Sequence, residues 1–124
     1  MISLPYPAKE LHPNARKDRR SITEIRQKAK FDGMMLAREY LQHGGIKTDH
    51  LIMTFFPPDM RRRDLDNAFA ACKAALDGIA LEFQRDDQHW TFTLLRGPCD
   101  RRGGRVDVVF AVQPGLLPLV GWVS

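Results

Sequence analysis

Cysteine is scarce in this 124-residue chain, which holds two, Cys72 and Cys99. They lack the paired spacing of a zinc site or a redox dithiol, so both read as free thiols. Histidine is equally thin: His12, His43, His50 and His89 are scattered singly. That spacing supports neither a histidine zinc cluster nor a His-metal nuclease motif. No apolar run approaches the length that spans a bilayer, and the start, Met1-Ile2-Ser3-Leu4-Pro5-Tyr6-Pro7, has no charged leader followed by an apolar block. The expectation is a cytoplasmic protein without a membrane partner.

The length suits one domain, residues 1–124, and an apolar share of 44% with 27% charged residues is that of an ordinary globular protein. Net charge is +4, and its distribution carries more meaning than its sum. A first basic group contains Lys9, Arg16, Lys17, Arg19, Arg20, Arg26, Lys28 and Lys30, a second is Arg61-Arg62-Arg63, and a third is Arg101-Arg102 with Arg105. Three separate groups suit a polyanion that contacts several faces, because each neutralised phosphate releases condensed counterions. Solvation of the surface alone would use the same residues.

The expected fold is α+β, a mixed sheet with two helices packed on it, in the order β-α-β-α-β-β. Residues 2–6 can begin a strand. Ser21-Ile22-Thr23-Glu24 has the capping-box pattern and predicts a helix start at Ser21, with Gly44-Gly45 as its stop and an irregularity at Gly33. Residues 50–56 form an apolar run ended by Pro57-Pro58, a buried strand. Leu65, Phe69, Cys72 and Leu76 make a helical stripe from about Asp66, with Gly78 as terminator. Residues 89–96 and 105–112 read as two further strands, joined by a turn-rich stretch into an antiparallel hairpin. The apolar residues 116–123, broken by Pro and Gly, should lie along the body or at a subunit contact.

The densest chemistry is Arg61-Arg62-Arg63-Asp64-Leu65-Asp66-Asn67. Asp64 and Asp66, two apart in extended backbone, can project to one side, where magnesium is the natural cation for oxygen ligands. Asp86-Asp87 could join them if the strand beginning near His89 neighbours the one ending at Phe56. Such a carboxylate cluster would hold metal for phosphodiester hydrolysis, with the arginines positioning the DNA backbone. The same residues admit structural roles: Asp66 as a helix cap, Asp64 paired with a nearby arginine, Asp86-Asp87 in a turn. His89 and Trp90 could stack on exposed bases, although tryptophan there also suits a core, as does Phe69.

This arrangement, with the alanine-rich helix that follows, Asp86-Asp87 and Gly103-Gly104-Arg105 entering a last strand, resembles the RusA family of Holliday junction resolvases over roughly residues 50 to 112. The Arg-Asp-Leu-Asp-Asn core carries most of the likeness. The resemblance implies a homodimeric, magnesium-dependent endonuclease that recognises four-way DNA junctions by structure and makes paired nicks; the sequence does not decide between magnesium and manganese. It implies catalytic and metal-binding roles for Asp64, Asp66 and Asp87. The family's lysine one turn after the second motif aspartate falls here on Ala70; Lys73, one turn farther, is the candidate to replace it. Arg61, Arg62, Arg63, Asn67, Arg16, Lys17, Arg19, Arg20, Arg101, Arg102 and Arg105 are the candidate DNA contacts. Two other readings stand beside this one: a catalytically silent nucleic-acid-binding protein, and a nuclease for flaps or single strands.

Overall fold

The structure, a computed structural model, describes residues 1–13, 19–85 and 89–111. The elements are β1 (Ile2–Pro5), a 3-10 turn (Lys9–Leu11), α1 (Arg19–Gln42), β2 (His50–Phe56), α2 (Leu65–Ala71), α3 (Lys73–Phe83), β3 (Thr91–Arg96) and β4 (Arg105–Ala111). The fold is α+β with a mixed sheet, as expected, in the order β1-β4-β2-β3. Among the described residues no helix is long and apolar enough to cross a membrane.

The hairpin expected between the last two strands is not formed. β2 lies between them, parallel to β3 with His50 opposite Thr91, and antiparallel to β4 with Phe56 opposite Arg105. A parallel pair needs a crossover rather than a tight turn, and α2 with α3 provides it. β4 also pairs antiparallel with β1, Pro5 facing Arg105. Alternation places Ile2, Leu4, Leu51, Met53, Phe55, Val106, Val108 and Phe110 on one face of the sheet, in a core shared with Ala37, Leu76, Ile79, Ala80 and Phe83 from the helices. On the other face His50 spans two threonine hydroxyls of β3, Nδ1 to Thr91 at 2.7 Å and Nε2 to Thr93 at 2.9 Å.

Three expected helix details change. α1 begins at Arg19, so Ser21 sits inside the first turn and not at a cap, and the Thr23 hydroxyl donates to the Arg19 carbonyl at 2.8 Å. The second helix is broken into two at Cys72, whose N–H turns back to the Phe69 carbonyl at 2.9 Å, the tighter i to i−3 bond. Gly78 does not terminate α3, which runs on to Phe83 and closes with Gln84 in the left-handed region (φ 56°). Gly33 causes no irregularity either. A side chain at Gly33 would strike the Ala75 carbonyl, and one at Gly78 the Lys30 carbonyl, so each glycine admits the backbone of the facing helix. Gly44, with φ 82°, lies just past the end of α1, where a stop was expected. The expectation for residues 116–123 lies outside the described residues.

Candidate nucleic-acid interface and carboxylate pair

The ends of β1 and β2 and the start of β4 meet at one end of the sheet, and three loops gather above it. The 97–104 turn is tied to the loop after β2 by the Gly97 amide on the Phe55 carbonyl (2.8 Å) and the Asp100 amide on the Pro57 carbonyl (2.7 Å). Gly104 (φ 77°) passes so close that a Cβ would lie 2.9 Å from the Phe56 carbonyl. Arg105 stacks its guanidinium 4.0 Å from the centre of the Phe56 ring and donates to Asp100 at 2.6 Å and to Asp107 at 3.2 Å. Hydrogen bonds from the Arg102 amide and side chain, then from Arg105, hold the Asp100 carboxyl down at about 2.

A carboxyl whose folded value lies below its ordinary value, about 3.9, adds stability that is complete above the ordinary value and lost as pH falls through the folded one. Asp100→Asn should therefore be less stable than wild type at pH 6, and the gap in urea midpoint should close between pH 4 and 2. A gap that is constant across that range would refute the assignment.

The second loop is organised by Asp59. Arg63 donates to both its oxygens, at 2.6 and 3.0 Å, and lies 5.7 Å from the Tyr6 ring centre. The Arg61 amide adds a bond of 2.9 Å and its guanidinium one of 3.3 Å. These bonds, that of Arg63 foremost, hold the Asp59 carboxyl well below the usual carboxylate range. Arg63 and Arg105, both named as DNA contacts, thus use donors to brace the loops. Arg61, Arg62, Arg101 and Arg102 are exposed.

Asp64 and Asp66 follow directly. Asp64 is the N-cap of α2: its backbone is extended (φ −81°, ψ 123°) and Oδ1 accepts the Asp66 amide at 2.9 Å. The cap is Asp64, not Asp66. Both carboxylates are exposed, and neither has an ion pair among the described residues; of the neighbouring arginines, Arg61 and Arg63 pair with Asp59 instead. Asn67 is half-buried in the first turn of α2.

Asp86 and Asp87 lie outside the described residues. The strand that follows them does neighbour β2, but in parallel, so their flanks are at the opposite end of the sheet from Asp64. Arg85 pairs with Asp49 at 2.8 Å, and the Thr91 amide donates to the Asp49 carbonyl at 2.8 Å, both before the start of β2. The continuation of α3 past Gly78 is what carries the chain there. α2 slants back over β3, with the Phe69 ring 4.9 Å from that of Phe92. Among the described residues no group of three or more potential ligands could hold a metal ion. Lys73 opens α3, pairs with Asp77 at 3.2 Å and borders a groove with Arg26 and Ala70. Trp90 is core, buried against Phe83, Phe92 and Phe110, and Phe69 packs against the same cluster.

Parts of the basic groups come together at this end of the sheet, while Arg26, Lys28 and Lys30 lie farther along α1. Arg61-Arg62 and Arg101-Arg102 sit on adjoining loops, and Lys9 and His12 close in on Arg61 and Arg62 from the segment after β1. Arg19 and Arg20 open α1, whose next turns border residues 4–11. Arg16 and Lys17 lie outside the described residues. Lys9 and His12 were not singled out as contacts by sequence; the 3-10 turn that brings them to one side is visible only in the structure. Compared with profiles of known protein families the chain matches none, and a search of curated proteins returns no relative.

Proposed function

We propose that the protein is a magnesium-dependent, structure-specific endodeoxyribonuclease that acts on four-way DNA junctions by phosphodiester hydrolysis. The observation that carries this reading is the exposed pair Asp64 and Asp66, without arginine partners although surrounded by them, at the end of the molecule where the basic groups gather. Basic side chains hold a phosphate backbone there, and two uncompensated carboxylates offer oxygen donors to a hard cation. One Asp64 oxygen is engaged by the Asp66 amide, which leaves the other and both of Asp66 for magnesium or manganese. When bound, the metal would polarise the phosphate and lower the pKa of a water. Asp87 is the third carboxylate that the family resemblance implies; with Arg85 and Thr91 at the other end of the sheet from Asp64, it would join the pair only from a second subunit. Paired nicks across a junction call for two symmetric sites, hence a homodimer.

The cap made by Asp64 favours a second reading, a nucleic-acid-binding protein without catalysis. A labelled four-way junction incubated with and without magnesium separates the two: cleavage products that require the metal support the nuclease, and intact junction retained on the protein supports the binder. Flaps and linear duplex as competitors test selectivity for the branch. In the same assay Lys73→Ala should slow cleavage more than it weakens binding, because charge aimed at the transition state appears mainly in the rate. Equal rates for variant and wild type would assign Lys73 to its helical pair with Asp77.

A further inference from the structure

We propose that the groove between residues 9–12 and the 61–63 loop seats a backbone phosphate of the DNA strand that passes Asp64, with Lys9, His12 and Arg62 as its contacts. This rests on the nucleic-acid reading above and adds two contacts, Lys9 and His12, to it. The groove holds about 330 Å³ and is lined by Lys9, His12, Arg61, Arg62 and Arg63, all basic side chains. The acid paired with these side chains is Asp59, where Arg63 already occupies both oxygens while Arg61 leans on one. Lys9, His12 and Arg62 have no ion pair or side-chain hydrogen bond among the described residues. Like charges gathered without a counter-charge repel, and a phosphate placed among them reverses the sign of that energy.

Local structure aims these groups at one point. The His12 amide donates to the Lys9 carbonyl at 3.2 Å, so the two residues are one 3-10 turn apart and their side chains leave on the same side. Across the groove Arg63, fixed by Asp59 and by the Arg96 guanidinium on its carbonyl at 3.0 Å, holds the loop that carries Arg62. The imidazole of His12 donates an N–H whether neutral or protonated. The groove adjoins a smaller cavity of about 140 Å³ that shares Arg61, Arg62 and Arg63 and reaches Asp64 and Leu65. A strand held at the first is therefore led toward the carboxylates.

The test is binding of a labelled four-way junction by fluorescence anisotropy, without divalent metal, from 50 to 200 mM salt. Wild type is compared with Lys9→Ala, Arg62→Ala and a control, Lys30→Ala, which removes an equal exposed charge from the middle of α1. Each lost phosphate contact lowers the slope of log K against log salt by about 1. The fall in affinity over that fourfold range should thus shrink about 3.5-fold for Lys9→Ala and for Arg62→Ala, and stay as in wild type for Lys30→Ala. Slopes for the two groove variants equal to that of the control would overturn the proposal. Because no metal is present, a wild type that binds but never cuts leaves the groove standing and sinks only the nuclease reading.

Discussion

Asp66→Asn should abolish cutting of a four-way junction, by orders of magnitude in rate, while metal-free binding persists or tightens. The substitution keeps size and removes one negative charge from the pair that would hold the metal, so the water activated there is lost or misplaced. In the proposed complex affinity would come chiefly from the basic side chains, which are untouched, and one carboxylate fewer would repel the phosphate less. Asp64→Asn sharpens the test. Asparagine caps a helix about as well as aspartate, so α2 keeps its N-cap while the charge goes. Asp64→Ala instead loses the bond to the Asp66 amide as well, at a cost of about 1 kcal/mol in stability. Asp87→Asn tests the carboxylate that the family resemblance adds: its flanking residues lie at the other end of the sheet within one chain, so loss of cutting with binding retained would mean that it reaches the site from the second subunit. If any of these neutral variants resolves junctions at the wild-type rate, that carboxylate is not a ligand.

Gly78→Ala should destabilise the fold by about 1–3 kcal/mol, the range for forcing a methyl group into a closed contact. The sign is the informative part. On helix propensity alone alanine would gain up to about 1 kcal/mol over glycine inside α3. Here the new Cβ would press on the Lys30 carbonyl of α1, backbone that cannot turn aside as a side chain could. Gly33→Ala meets the Ala75 carbonyl in the same way from the other helix. A lower urea midpoint with an unchanged slope is the expected result for both. A rise in the Gly78→Ala midpoint would mean that α1 and α3 do not approach closely there.

What could be read without coordinates followed from local pattern. β2 appears as expected because Leu51, Met53 and Phe55 alternate toward the core and Pro57-Pro58 ends the ladder. Pairing partners are not local. β3 and β4 are sequence neighbours separated by a turn-rich stretch, yet β2 takes the position between them, and its apolar residues on both faces, Ile52 and Phe56 beside Leu51 and Phe55, are what suits an interior strand. Gly78 looked like a stop because its packing against α1 depends on a residue far away in sequence. The carboxylate pair was legible as a motif, and its lack of arginine partners was not, since that turns on Asp59 capturing Arg61 and Arg63. Likewise the gathering of Lys9 and His12 with Arg61 and Arg62 follows from the sheet register, which sets Pro5 and Phe56 against Arg105.

The strand order also governs how the chain must fold. Every ladder in the sheet, β1 with β4, β2 with β3 and β2 with β4, uses a residue from Thr91 onward. A chain emerging from the ribosome therefore exposes β1 and β2 as unpaired apolar strands until its last third has been made. The contacts that can form earlier are those among β1 and the helices, chiefly α1 with α3, and the hydrogen bonds within each helix are local enough to be fast. Refolding should accordingly show helix content ahead of sheet, and the slow closure of long-range pairs is the interval in which the protein is most open to aggregation.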